Sequence, residues 1–505
     1  MEAKTLPTLW SKRLTMAEAL PATFYKDYSS ALISNVGQNL IPKNAVRQMN
    51  NYDCDRRIGS LSSRLGTDIV GASLVSNKSV LGVHHHNPSG GTGKLFATIN
   101  DSGDANADIF DVDGSPSISL ANDTASLYTS FLTYLGETLR LNGTDAPKAW
   151  NGSSWITTGG AFDLGDMPTG HKYAQEFLSR VYLWGKSGNV LEYSDVPTSS
   201  AVVWNSPVDS IEIEAEDAGG EGTGLAKVPG NLLIFKERSL HRWNFYNAFP
   251  DQLVDIGSPS PRSIVQGHGL VAFFSASSDD ATGFYLTNGT RPIPISHDRV
   301  RTIKDFVDAI DSANYTSIAG WGTDRVFGWS VGDITVDDFT YSNAVLRWNR
   351  ILNQWTVRTY PFKFTCFAPY TASNTTKVVG GTDKGYLIQL DKPGTYTDYS
   401  GKPIQLMHST HYDKFDYNQL KDISNKVLID CEHLQKVTVE IISDTGKSLM
   451  AQGRGRTVLS AIKEMLWREK MKGHKFSVIV RGEVGGREAI FHEIELPSIV
   501  VDMNY

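Results

Sequence analysis

The residues best placed to do chemistry are carboxylates. Glu212, Glu214 and Glu216 alternate along Ile211–Asp217, and Glu221 follows a few positions later. In an extended strand, period-two residues share one face, so the three would form either a plain solvated outer face or a row that attracts cations or repels a polyanion. A metal site needs oxygen ligands converging from a loop, and a row spread along a strand does not supply that. His84-His85-His86 alternate faces in a strand, so only His84 and His86 could share an ion, with no third ligand evident. His408 and His411 lack the helical spacing of a zinc protease motif. Gly90-Gly-Thr-Gly-Lys94 imitates a phosphate loop, but Pro88 stands where its first glycine belongs and Leu95 where Ser or Thr belongs. Asp104-Ala-Asn-Ala-Asp108 opens like a calcium loop, yet Ile109 occupies the glycine position. Gly328-Trp-Ser-Val-Gly332 matches the nucleophile elbow, but Asp333–Val336 reads as a strand where that motif needs a helix. Cys54, Cys366 and Cys431 are far apart and odd in number, giving neither a disulfide framework nor a zinc spacing. No catalytic, metal or cofactor-binding residue is expected.

Composition narrows the partners. The 505 residues carry 48 Lys+Arg against 55 Asp+Glu, a net charge of −7. Tight binding of nucleic acid draws on clustered cations and counterion release, so only passive contact with a polyanion is expected. The apolar content of 40% is enough for a sizeable core. The first residues lack a charged segment followed by an apolar one, and no run of 18 apolar residues occurs. Neither a signal peptide nor a membrane span is expected.

The elements that would position these residues are short strands. Leu95–Ile99, Val181–Trp184, Asn231–Phe235, Leu270–Phe274 and Ala344–Trp348 are apolar runs closed within a few positions by turn residues. Asn142-Gly143, Asn151-Gly152, Asn288-Gly289 and Lys384-Gly385 are hairpin signals beside such runs. A loose unit of strand, polar turn and Trp- or Tyr-bearing strand recurs every roughly 40–55 residues, the range of a four-stranded propeller blade. A stretch of roughly 320 residues divided by roughly 45 gives about seven blades. Radial repetition also shortens and protects strand edges that open sheets would expose. The fold class is therefore all-β: an arm over residues 1–70, a β-propeller over 71–395 and a β-sandwich-like domain over 396–505. A pair of stacked sandwiches is the architectural alternative. Two helices are expected, at Arg301–Asp311 with Ile303, Phe306, Val307 and Ile310 as its stripe, and at Thr457–Met471 in the C-terminal domain.

Three stretches together resemble the β-propeller tail hub, or nozzle, proteins of short-tailed bacteriophages. They are Asn39–Val46 leading through Asn51-Tyr52 to Ser60–Gly66, then Leu233–Ser296 around Asp255–Ile264, and Gly380–Tyr386 through Tyr399–Ile404. The resemblance implies a homo-oligomeric ring, typically a hexamer, between the adaptor ring below the portal and the distal fibre or spike proteins. It further implies a virion protein assembled in the host cytoplasm, with a channel that conducts exiting double-stranded DNA and helps retain the packaged genome. No catalytic residues come with it. An acidic lumen would lower friction for a passing polyanion, which makes Glu212, Glu214, Glu216 and Glu221 the candidate lumen-facing residues.

Two other classes compete. A carbohydrate-binding or carbohydrate-cleaving propeller would use Trp321, Trp329 and Trp355 as stacking platforms, where the plainer reading is blade packing. The Asp-box of propeller sialidases is absent, with Ser277-Ser-Asp279 coming nearest, although paired carboxylates carry no spacing signal that sequence could exclude. A cellular propeller scaffold would be expected to show Trp-Asp blade signatures, and none occurs.

Overall fold

The computed structural model describes residues 17–502 apart from 21–22, 35–40, 89–92, 114, 198–199, 215–218, 245, 247–248, 298–301, 373–374, 411–420, 424–425, 445–447, 453–460, 467–470, 474 and 497–498.

Seven four-stranded antiparallel sheets follow one another in chain order. The first comprises Val80–His86, Lys94–Asn100, Asn106–Asp111 and Ser117–Thr124. The next five begin at Ser130, Tyr173, Gly222, Val265 and Ala319. The first strand of every sheet lies beside the first strand of the next, and Phe364–Ala372 of the seventh lies beside Val80–His86 of the first. The ring is therefore closed, and the protein is a seven-bladed β-propeller. Closure uses a strand from far upstream. Three strands of the seventh blade span Phe364–Lys392, and the fourth is Gly66–Ile69, antiparallel to Leu387–Lys392. Those four residues fall within the arm expected from the sequence, so the propeller begins before residue 71.

Tryptophans fix neighbouring blades to one another. Trp184 Nε1 in blade three donates to the Phe235 carbonyl of blade four at 2.9 Å. Trp329 and Trp355 of blade six donate to the Ser263 and Ile295 carbonyls ahead of and after the strands of blade five, at 3.0 and 2.9 Å. Each indole buries a large apolar area while its N–H finds a main-chain acceptor, which is what a buried tryptophan requires. The turn glycines expected at 143, 152, 289 and 385 all have positive φ. At Gly385 a Cβ would also lie 1.9 Å from the Val75 carbonyl oxygen, so both conformation and space demand glycine there.

The second body is woven from both ends of the chain. One sheet orders Ser448–Gln452, Leu434–Ser443, Phe476–Val484, Gln405–Ser409 and Gln48–Asn50. Another orders Ala461–Leu466, Lys426–Glu432, Ile490–Leu496, Leu61–Ser63 and Tyr52–Asp53, with Thr23–Tyr25 also on Ile490–Leu496. A third joins Ala17–Leu20 to Ile499–Asp502. The N-terminal segment is thus paired into the C-terminal sheets and is no free-standing arm. Leu434–Ser443 alternates buried and less buried residues almost throughout, the signature of a half-buried strand. Val439 and Val480 of one sheet share an apolar cluster with Ile429 and Phe491 of the other, and that cluster continues into Trp329 and Trp355 of blade six.

The helix expected in the propeller is present as Lys304–Asp308, with Ile303, Phe306, Val307 and Ile310 all buried. The C-terminal helix is not. Ala461–Leu466 and Met471–Gly473 are strands, and the rest of Thr457–Met471 lies outside the described residues. Ala461–Leu466 pairs along its length with Lys426–Cys431, and this non-local ladder overrides the segment's local helical signals.

Candidate functional site

The acidic residues do not form one strand face. Glu212 ends the outermost strand of blade three and is exposed. Ile213 is then buried, and Glu214 turns away with φ 39°. Glu214 is also exposed, Glu216 lies outside the described residues, and exposed Glu221 directly precedes the innermost strand of blade four. Lys172 Nζ sits 3.8 Å from Glu221 Oε2, a surface pair worth little. Three of the four candidates thus lie on solvent-facing positions of blades three and four, two on the outer rim and one at the crossing between blades.

The other candidate residues take structural positions. His84 stacks on Phe131 with ring centroids 5.4 Å apart, and its Nε2 lies 2.7 Å from Thr133 Oγ1. His86 Nδ1 lies 2.8 Å from Thr138 Oγ1, and His85 packs edge-on against Tyr370. Among the described residues no group of three or more His, Cys, Asp or Glu could hold a metal ion. Lys94 pairs with Asp111, while the Asp101 carboxylate accepts from the Gly103 and Ala105 amides and closes the turn through Asp104. Ser330 is buried in the middle of Val326–Val336, where no elbow can form. All three cysteines are buried thiols, and burial pushes Cys366 up to about 11. Trp321, Trp329 and Trp355 are 6%, 0% and 1% exposed, so none offers a face to a sugar, and the stacking platforms of the carbohydrate reading are blade-packing residues.

The structure brings together two groups that spacing could not reveal. The first is a charge junction where both chain ends meet blades six and seven. Arg358 Nη2 contacts both oxygens of Asp53 at 2.8 and 2.9 Å, and its Nη1 contacts both oxygens of Asp391 at 2.8 and 3.0 Å. Arg347 Nη2 and Asn349 Nδ2 each reach Asp55 Oδ2 at 2.8 Å. Arg64 donates to Asp398 at 2.7 Å and to Asn51 Oδ1 at 2.7 Å, while Asn51 Nδ2 donates to the Gln405 carbonyl at 2.7 Å. Burial opposes ionisation of Asp391 and Asp55, but the guanidiniums of Arg358 and Arg347 override it and hold both carboxyls below their ordinary value. Bidentate geometry and extra hydrogen bonds are the conditions under which buried charges are tolerated.

The second group is a hydroxyl–imidazole–carboxylate row across two adjacent strands and the bend that leads into a third. Ser60 Oγ lies 3.2 Å from His492 Nδ1, and His492 Nε2 lies 3.0 Å from Glu432 Oε1. His492 and Glu432 are about a third exposed. The row has the connectivity of a nucleophile, base and orienting acid, its first two members standing 432 positions apart in the chain.

No family model matches the chain, and no curated protein matches it. Among solved structures the chain is similar to the Neurospora crassa Pan2 WD40 domain, at 9% identity and a TM-score of 0.38, over 66% of this chain and 96% of that one. The class defined by the strand order is the all-β, seven-bladed propeller, here with a second β-body built from both chain ends.

Proposed function

We propose that the protein is a structural virion component, a subunit of a tail hub or nozzle ring that continues the DNA channel of a short-tailed bacteriophage and helps retain the packaged genome. The supporting observation is the charge junction. Two of the three stretches on which the resemblance rests, the lead-in at Arg64 and the exit at Asp398, are in direct contact. A lead-in and exit bonded to one another tie the propeller and the woven body into one unit, as a ring subunit under internal pressure needs. On this reading the ring is homo-oligomeric, with a hexamer as the first symmetry to test, and heterologous contacts close it. Adaptor and distal tail proteins would flank it, and exposed Glu212, Glu214 and Glu221 would face a lumen between subunits, where like charge keeps DNA from adhering.

The experiment is negative-stain imaging of the purified chain with its mass in solution measured by light scattering. A closed ring with a central hole is the expected result. A monomer at high concentration that binds defined sugars on a glycan array would overturn the reading in favour of a carbohydrate-binding propeller.

A further inference from the structure

Three Asn-Gly pairs occur in the chain, Asn142-Gly143, Asn151-Gly152 and Asn288-Gly289. Each lies in the turn between two paired antiparallel strands of a blade. The pair forms turns because glycine accepts positive φ, and for the same lack of a side chain the glycine nitrogen is unhindered. That nitrogen can attack the asparagine side-chain carbonyl. Three conditions govern the attack. The glycine amide must not be tied to an acceptor, the carbonyl oxygen must be stabilised as it gains negative charge, and the turn needs room to close a five-membered ring.

Two of the pairs fail these conditions. Asn142 is 5% exposed, and its carboxamide is pinned at both ends: Oδ1 accepts from the Thr144 and Asp145 amides at 3.1 and 2.9 Å, and Nδ2 donates to Asp145 Oδ2 at 2.6 Å. A Cβ on Gly143 would lie 2.6 Å from Lys172 Cγ, so that turn is packed. Asn288 Oδ1 accepts from Thr290 N and Oγ1 at 3.2 and 2.7 Å. The Gly289 amide, however, donates to Thr287 Oγ1 at 3.0 Å, and Gly289 is buried against Asn231 and Val228.

Asn151 meets all three conditions. Its Oδ1 accepts from Ser153 N, Ser153 Oγ and Ser154 N, each at 3.0 Å. Among the described residues the Gly152 amide donates to no acceptor. A Cβ on Gly152 would meet no atom within 4 Å, and Asn151 to Ser154 are all exposed.

We infer that Asn151 is a self-modifying site, converting to aspartate and isoaspartate by cyclisation onto Gly152 while Asn142 and Asn288 persist. The Gly152 nitrogen gives its proton to hydroxide and bonds to Asn151 Cγ. The side-chain oxygen takes the negative charge of the tetrahedral intermediate, where the three donors of the turn already converge. The Cγ–Nδ2 bond then breaks, and the nitrogen takes a proton from water and leaves as ammonia. Water opens the cyclic imide at either carbonyl, giving aspartate or isoaspartate. The product puts a negative charge, and in the iso form an extra main-chain carbon, into the turn between Lys148–Trp150 and Trp155–Ile156. Trp150 and Trp155 flank that turn with ring centres 5.9 Å apart, so the change falls beside the aromatic pair at the outer edge of blade two.

The test is incubation of the full chain at mildly alkaline pH, followed by peptide mapping with mass spectrometry and enzymatic methylation of isoaspartate. The three asparagines fall on separate tryptic peptides. In the folded chain Asn151 should convert about tenfold faster than either of the others, the cost of freeing one hydrogen-bonded group, and the three rates should converge in urea. Ser153→Ala removes one of the three donors from an exposed turn and should slow the conversion about two- to tenfold, the worth of one hydrogen bond. Persistence of Asn151 overturns the inference. So does conversion of Asn142 or Asn288 at an equal or greater rate in the folded chain, or an unchanged rate in the serine variant.

Discussion

His408 is fully buried between the two main sheets of the woven body, with Phe491 4.3 Å, Tyr52 5.4 Å and Tyr28 5.8 Å from its ring centre. Neither ring nitrogen has a hydrogen-bond partner. Burial drops its pKa from 6.5 to about 3. The unfolded chain therefore binds a proton that the folded chain refuses as pH falls from 6.5 towards 3, and stability declines with acidification over that window. Each pH step of one within the window costs about 1.36 kcal/mol, so the loss between pH 7 and pH 5 from this group is about 2 kcal/mol. Phe at this position keeps the aromatic shape and removes the proton-binding nitrogens, so His408→Phe should fold at least as stably at pH 7, because two buried polar atoms without partners disappear. Urea unfolding followed by circular dichroism at pH 7 and pH 5, for parent and variant, reads the effect directly. Other titrating groups are common to both proteins and cancel in the comparison. The variant should lose about 2 kcal/mol less on acidification; an identical loss in both would refute the assignment of this proton to His408.

Arg358→Ala should cost about 3–5 kcal/mol in the same unfolding assay, because it strands the carboxylate of Asp53, which is 3% exposed; a cost under about 1 kcal/mol would place the junction among ordinary surface pairs. On the proposed nozzle reading, replacing Glu212, Glu214 and Glu221 together by Lys should slow DNA release from assembled particles, measured as dye fluorescence after triggering, with slowing that weakens as salt rises. Unchanged kinetics would refute the proposal that these residues face a DNA channel. A fluorophosphonate probe should leave Ser60 unlabelled if the protein is structural; labelling lost in His492→Ala would instead make the row beside Glu432 a working nucleophile and refute the non-enzymatic reading.

Much of the propeller was legible because its signals are local. Leu95–Ile99, Asn231–Phe235 and Leu270–Phe274 lie within observed strands, and each needed only an apolar run bounded by turn residues. An approximate blade number, about seven, followed from a repeat length, which survives even when blades share little sequence. What sequence could not supply was pairing between distant segments. Gly66–Ile69 meets Leu387–Lys392 across more than 300 residues, and nothing in either segment names the other. The same blindness explains Thr457–Met471, where a helical spacing of apolar residues was local and real but the ladder with Lys426–Cys431 decided the outcome.

Ring closure and the charge junction belong to one mechanical arrangement. The fourth strand of blade seven is Gly66–Ile69, and the residues just before it are Arg64, with its bonds to Asn51 and Asp398, and Ser63, paired with Tyr52 in the woven body. A force that pulled the woven body away from the propeller would load Arg64 and then the closing strand itself. Asp391, within the strand that pairs with the closing strand, is held in turn by Arg358 of blade six. A path of strand pairing and ion pairs therefore runs through blade six, blade seven and the second body. Placing the closing strand and the buried ion pairs at the same seam lets a propeller whose blades meet mainly through side chains carry load between its two bodies.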